Sequence, residues 1–204
     1  MDRLKWEKTY LLLRRNEKLR EKRIRMFDLD KSSYILDLGC GDGLNLKILQ
    51  KLGYKNICGL DNSRELLSRI SGIQTILADA CNTGLPSDYF DVIFIDGFLH
   101  HLYNHQDCFA EMRRILKDGG YLCFIEPRNS PLRKLLDIIT LSPLSNLTPL
   151  LKNRRISLKE EYDVYTNWSK IQNRLAGYID KYGFGVVFWK KGPIGMIVKC
   201  KLIK

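Results

Sequence analysis

Histidine is scarce in this chain, and its cysteines never stand in a C-x-x-C pair. The three histidines are His100, His101 and His105; the six cysteines are Cys40, Cys58, Cys81, Cys108, Cys123 and Cys200. A structural zinc site needs clustered ligands, so no metal site is expected. Scattered free thiols suit a reducing cytoplasm, which is the expected location. Long apolar runs are missing too. The most apolar stretch, 135–151, is broken by Pro143, Asn146 and Pro149, so no transmembrane segment is expected. Residues 1–8 carry charge where a secretory leader would need an apolar run. There is no internal repeat and no low-complexity tract.

The 204 residues suffice to bury a core without disulfide staples. The net charge of +11 is unevenly spread. Residues 1–27 hold ten basic and four acidic side chains, residues 28–127 nine and fourteen, and residues 128–204 fifteen and five. An acidic middle between basic ends suits an anionic substrate, a membrane surface or nucleic acid near the ends, although plain surface solvation explains the charge equally well.

Residues 2–27 read as a helix, with Trp6, Tyr10, Leu13 and Glu17 at helical spacing and a thin apolar stripe, so this helix should lie on the surface as a cover. From Tyr34 strands and helices alternate. Strands are expected at 34–39, 56–61, 73–79, 90–96 and 121–126, with helices at about 44–52, 63–70 and 104–117. Gly53 and Ser63 are cap candidates, and residues 117–120 should be a turn. This alternation implies βαβ units and a parallel sheet. Residues 184–189 and 196–203 are strand-like, and their connection is too short for a parallel crossover, so they should form an antiparallel hairpin. Residues 128–165 fit neither pattern and read as an insertion or lid. Leu132, Leu135, Leu136 and Ile139 share one helical face, ordinarily a core-facing one.

The strongest chemical signal is Leu36-Asp-Leu-Gly-Cys-Gly-Asp-Gly43, placed between a strand and a helix. Glycines at 39, 41 and 43 allow positive φ and close approach of backbone to ligand. Their G-x-G-x-G spacing departs from the G-x-G-x-x-G dinucleotide fingerprint, since position 44 is leucine, and so favours another nucleoside ligand. Asp61 closes the second strand, where a carboxylate can accept hydrogen bonds from ribose hydroxyls. Asp79 with Ala80 closes the third and could read an adenine edge. Asp96 and Gly97 close the fourth. Each aspartate alone would pass for a strand-end cap; together they converge on one crevice.

These residues resemble the class I methyltransferases that depend on S-adenosylmethionine (SAM), in particular the type 11 subgroup. The resemblance rests on residues 35–43, on Gly59-Leu-Asp-Asn-Ser63, on Leu77-Ala-Asp-Ala80, on Phe90-Asp-Val-Ile-Phe94 with Leu99-His-His-Leu102, and on residues 115–122. It implies a Rossmann-like α/β fold, a doubly wound, three-layer α/β/α arrangement on a seven-stranded sheet, mostly parallel with an antiparallel C-terminal hairpin. The whole of 1–204 would be one domain, with 1–27 as helical cover and 128–183 as a substrate-side lid. It also implies that Asp37, Gly39, Cys40, Gly41 and Gly43 hold the methionine end of SAM, Asp61 and Asn62 the ribose, and Asp79 and Ala80 the adenine. Asp96 and Gly97 would line the sulfonium side. Asp42 departs from the subgroup, which often carries Thr, Ser or Ala there.

Methyl transfer from a sulfonium needs alignment more than a base. If a base acts, His101, His100 and Glu126 are the candidates, because they follow the fourth and fifth strands; one histidine could equally pack under the cofactor. Replacing Asp61 with alanine is expected to weaken SAM binding while leaving the fold intact. Glu126-Pro-Arg-Asn-Ser-Pro131 loosely resembles a segment of type 11 relatives associated with lipid or polysaccharide pathways. With Arg128, Arg133, Lys134, Arg154 and Arg155 nearby, this points to a small-molecule acceptor that is anionic or lipid- or saccharide-linked, and to peripheral membrane contact. Three alternatives stand beside this reading. An RNA-directed enzyme is disfavoured because the fourth strand ends in Asp96-Gly-Phe-Leu rather than a Pro-Pro motif. A non-catalytic SAM-binding module and a nicotinamide-dependent dehydrogenase are the others.

Overall fold

The computed structural model describes residues 16–160 and 162–203. Seven strands form one sheet: β1 (Ile35–Leu38), β2 (Ile57–Asp61), β3 (Gln74–Leu77), β4 (Phe90–Asp96), β5 (Leu116–Pro127), β6 (Phe184–Lys191) and β7 (Gly195–Leu202). Their spatial order is β3-β2-β1-β4-β5-β7-β6. The first five run parallel, and β7 enters antiparallel to β5 and pairs with β6 as a hairpin. This is the mostly parallel sheet with a reversed end that the residue pattern implies. The chain order reverses at β1 and β4, so the strand ends there open a crevice at the switch point.

Alternation along the strands builds two cores. Leu36, Ile93, Ile95, Leu122 and Phe124 face one side, with Phe109, Trp168 and Ile179 packed over them. Ile35, Val92, Phe94, Cys123 and Ile125 face the other, under Ile24, Phe27, Leu46 and Leu49. Period-two side-chain direction in strands buried on both faces makes this three-layer arrangement obligatory. The covering helices on the second face are α1 (Glu17–Arg25) and α2 (Leu44–Lys51); on the first they include α4 (His105–Ile115), α7 (Tyr162–Ile171) and α8 (Leu175–Lys181).

Helix α1 shows how a thin apolar stripe can still be anchored. Asn16 Oδ1 caps it by accepting from Leu19 N at 3.0 Å. Ile24 and the following Phe27 are fully buried, Phe27 against the rings of Phe94 and Phe188. Burial of such side chains contributes about 1.5–3 kcal/mol each. The buried Lys199 Nζ of β7 donates to Phe27 O at 2.6 Å. The helix is thereby set over the strand ends. The Trp6, Tyr10 and Leu13 positions of the expected helix lie outside the described residues.

Several boundaries differ from expectation for local reasons. The helix after Ser63 is a single turn, α3 (Arg64–Leu67), because Arg69 N and Ile70 N bond three residues back rather than four. Ser63 does cap it, accepting from Leu66 N at 3.2 Å. Residues 117–120, read as a turn, belong to β5, whose pairing with β4 slips between Phe90 and Val92 around Gly119 at φ +70°.

Among the described residues, the stretch read as an insertion is mostly helical: α5 (Pro131–Leu141), a 3-10 stretch (Pro143–Leu147), α6 (Pro149–Glu160) and the start of α7. The core-facing orientation expected for the Leu132 face of α5 does not occur. Leu132 and Leu135 are 46% and 52% exposed, and neither Leu136 nor Ile139 joins a core. The reason is that Asp137 and Thr140 turn inward to meet Arg154 of α6, and Arg133 turns with them to pair with Asp137. Arg154 Nη2 donates to Asp137 Oδ1 at 2.6 Å and its Nε to Thr140 Oγ1 at 3.0 Å.

Candidate active site

The glycine turn follows β1 as the residue pattern requires. Gly39, Gly41 and Gly43 all take positive φ, at +76°, +56° and +79°. A Cβ on Gly39 would sit 2.3 Å from the Phe98 side chain, so backbone must pass there without one. Gly39 N and Cys40 N both donate to Leu60 O, at 2.8 and 3.0 Å, tying the turn to β2. The Cys40 thiol is buried, which pushes its pKa up and keeps it neutral.

Four carboxylates surround this turn in four different states. Asp37 is fully buried at the end of β1, and neither of its oxygens has a hydrogen-bond donor among the described residues. Burial first, and then the nearby Asp96 charge, push its carboxyl well above the usual carboxylate range, against the pull of Arg20. Asp61 Oδ2 accepts from Gly41 N at 2.9 Å and its Oδ1 from Ser63 N at 2.8 Å, so the turn and the strand end brace one another. Asp79 is exposed and accepts from Cys81 N at 2.7 Å, with Ala80 buried beside it and Asn62 exposed across the crevice. Asp96 is nearly buried and raised by that burial, and Arg20 of α1 pairs with it and lowers it in return.

Two cavities flank these groups. One of about 380 Å³ is lined by Gly39, Asp61, Asn62, Asp79, Ala80 and His101, among others. The second, of about 500 Å³, is lined by Asp96, Gly97 and Glu126, by the cations Arg23, Arg133 and Lys190, and by apolar side chains from the β6–β7 hairpin such as Ile194 and Met196. They adjoin at consecutive residues, Gly97 lining the second and Phe98 the first. A larger, open hollow beside Tyr34, Tyr54 and Tyr89 lies at the opposite, amino-terminal edge of the strands, away from all of these groups.

The candidate bases are close together but differ in character. Glu126 is buried, and its Oε1 accepts from Phe98 N at 2.9 Å and Leu99 N at 2.6 Å. Its Oε2 lies 2.8 Å from His100 Nδ1. Burial pushes the Glu126 carboxyl up to about 8, against those backbone donors. Both oxygens are therefore engaged in holding the 3-10 turn Leu99–His101. The rings of His100 and His101 are 4.0 Å apart, and His100 Cε1 would lie 3.8 Å from a Cβ on Gly97.

Sequence reasoning overlooked Arg20 and Asn45. Arg20 Nη1 reaches Asp96 and donates to Asn45 Oδ1 at 3.2 Å. A basic residue on a surface helix carries no local mark of such a task. For Asn45 a signal existed: an amide in the first turn of the helix that the glycine turn opens. Glu111 was also missed. It accepts from Thr83 N at 2.9 Å and pairs with Arg114, which holds its carboxyl low, at about 2.

A reversed-end parallel sheet with a glycine turn at its switch point and a carboxylate closing the next strand defines a Rossmann-like nucleoside-binding protein. Its residues 36–124 match the family described as "Methyltransferase domain". This stretch is similar to the class I SAM-dependent methyltransferases of type 11, and SAM is the cofactor that goes with that domain. Trans-aconitate 2-methyltransferase of Acidovorax is 33% identical over 101 residues, 47% of this chain and 39% of that protein. The alignment thus spans about two fifths of that relative's length. Demethylmenaquinone methyltransferase of Staphylococcus epidermidis is 25% identical over 181 residues, 84% of this chain and 72% of that protein. A solved SAM-dependent methyltransferase from Aquifex aeolicus superposes with a TM-score of 0.62 at 19% identity, covering 90% of this chain and 89% of that one, which shows a shared fold.

Proposed function

We propose that this protein is a SAM-dependent methyltransferase whose acceptor is a small anionic molecule bound in the cavity beside the β6–β7 hairpin. One observation carries this reading: two cavities of different charge adjoin at Gly97 and Phe98, Asp61 and Asp79 lining one with no Lys or Arg, and the three cations Arg23, Arg133 and Lys190 outnumbering the carboxyls of Asp96 and Glu126 in the other. SAM supplies an electrophilic methyl on a sulfonium and brings a cationic ammonium and an anionic carboxylate with it.

The residues fit that group. Asp37, buried with no donor among the described residues, suits the ammonium, whose charge would offset the cost of burying a carboxylate. Gly39, Cys40, Gly41 and Gly43 let the chain pass close to the methionine end, and Arg20 offers a cation for its carboxylate. Asp61 is oriented in advance by two backbone donors at the strand end where a carboxylate would accept from ribose hydroxyls, with Asn62 beside it. Asp79 and Ala80 take the adenine side of the 380 Å³ cavity. Asp96 and Gly97 lie where the reacting centre would be.

On the acceptor side Arg23, Arg133 and Lys190 attract an anion, while Ile194 and Met196 accommodate its apolar part. Holding both reactants in line can contribute about 7–11 kcal/mol towards the barrier. A proton leaving the acceptor would pass to His101 or His100. Glu126 acts as a positioning residue that fixes the His100 ring. The whole chain works as one domain, with 128–183 as the cover of the acceptor side. The relatives, a trans-aconitate and a demethylmenaquinone methyltransferase, support a small acceptor.

Calorimetric titration with SAM and with NAD, followed by turnover of labelled SAM with a panel of carboxylic acids, quinols and their uncharged analogues, tests the reading. SAM binding and turnover restricted to anionic acceptors are expected. Binding of NAD in place of SAM, or preference for uncharged acceptors, would overturn it.

A further inference from the structure

Helix α5 is built inside out. An ordinary surface helix buries its apolar stripe and shows its polar face to water. Here Arg133, Asp137 and Thr140 point to the protein, where Arg154 joins them and the Arg133 guanidinium lies 4.8 Å from the Tyr165 ring centre. Leu132, Leu135 and Ile138 lie on roughly the opposite side of the helix. They are exposed, Ile138 by 66%. The 3-10 stretch and the start of α6 continue the pattern, with Leu144, Leu147 and Leu150 at 54%, 76% and 65% exposure. These pieces pack against one another, so the six side chains belong to one helical unit.

From this geometry we infer that the outer face of the α5–α6 unit docks on an anionic lipid bilayer, whether or not the chain transfers methyl groups. Three observations select that occupant. First, residues 128–160 carry seven Lys and Arg against two acidic residues, and one of the two, Asp137, is already held between Arg133 and Arg154. A second copy of the chain would bring like charge against like; an anionic headgroup layer complements it. Second, the six exposed side chains are leucine and isoleucine with no aromatic ring, whereas protein interfaces are anchored by Trp, Tyr and Arg. Third, Lys134 and Lys152 are exposed on the same two helices as the leucines, the mixture that lets a helix lie in the headgroup region. No helix among the described residues is long and apolar enough to cross a membrane, so the contact is peripheral.

Co-sedimentation of the full chain with phosphatidylcholine vesicles, with and without phosphatidylglycerol, tests the inference. Partition into the anionic vesicles is expected, weakening as salt rises. Leu135→Glu/Ile138→Glu should weaken it at least about tenfold, with circular dichroism and SAM affinity unchanged because both side chains are exposed. Lys134→Glu/Lys152→Glu should weaken partition into anionic vesicles and leave that into neutral ones alone. Equal partition of parent and Leu135→Glu/Ile138→Glu, or none by the parent, would overturn the inference. So would a lipid-free dimer, seen by light scattering, that the same double substitution dissolves.

Discussion

The carboxyl ends of β1 to β4 and the helices between β5 and β6 solve opposite problems with opposite charge. At the strand ends aspartates surround backbone that glycine leaves bare, and burial raises the carboxyls of two of them, Asp37 and Asp96, against the pull of one arginine. In the helical unit cations outnumber acids and leucines face outward. The difference teaches that the two halves are specified by different kinds of information. A strand end is placed by its own strand, so a residue type there is nearly a coordinate. A helix in an insertion is placed by what it packs on, so its faces are assigned by distant partners.

Substitutions on the two sides should therefore separate cleanly. The largest effect is expected for Gly39→Val, which forces a branched side chain into positive φ against Phe98. It should cost about 3 kcal/mol of stability and abolish SAM binding, read by denaturant melts and calorimetry. Near-parental values for both would detach the glycine turn from the site.

The next effect is a pH dependence centred on Glu126. Burial raises its carboxyl to about 8, so the folded chain keeps the proton where the unfolded chain has lost it. The stability this contributes is complete below the ordinary glutamate pKa and is lost as pH rises through about 8. Asp37, also raised, acts with the same sign. Glu111, lowered to about 2, contributes above the ordinary glutamate pKa and loses its share only in acid, so it does not blur this window. Glu126→Gln keeps an acceptor for Phe98 N and Leu99 N and cannot titrate. Thermal melts across neutral pH should be flatter in this variant; an unchanged slope would place the dependence elsewhere.

Asp61→Ala should raise the Kd for SAM about tenfold or more. The bonds to Gly41 N and Ser63 N add a cost that residue patterns do not reveal, a loss of about 1 kcal/mol of stability. The fold itself should stay intact. Smallest should be Arg23→Ala/Lys190→Ala, which removes two cations from the proposed acceptor cavity. It should raise the KM of an anionic acceptor about fivefold and shift SAM affinity less than about twofold. A larger effect on SAM than on the acceptor would merge the two cavities into one site.

Most of the geometry around the glycine turn was legible in the residues because its signals are local. Three glycines at fixed offsets, a continuous apolar run at 90–96 and an acid closing the second strand each constrain their own neighbourhood. Glu126 was legible as a candidate base but not as the partner of Phe98 N, Leu99 N and His100, since those contacts join segments about 27 residues apart. Leu132 and Leu135 were read as core because periodicity reports that a helix has two faces, not which one turns inward.

The order of charges, the alternation of strand and helix, and the glycine spacing were settled by the chain alone, because each depends on residues within one or two turns of each other. Only the tertiary structure decided that Arg20 reaches Asp96, that Lys199 fastens α1, and that α5 shows its leucines to the outside. Those outcomes depend on long-range packing, in which a buried ion pair or hydrogen bond between remote segments outweighs the local preference of either one.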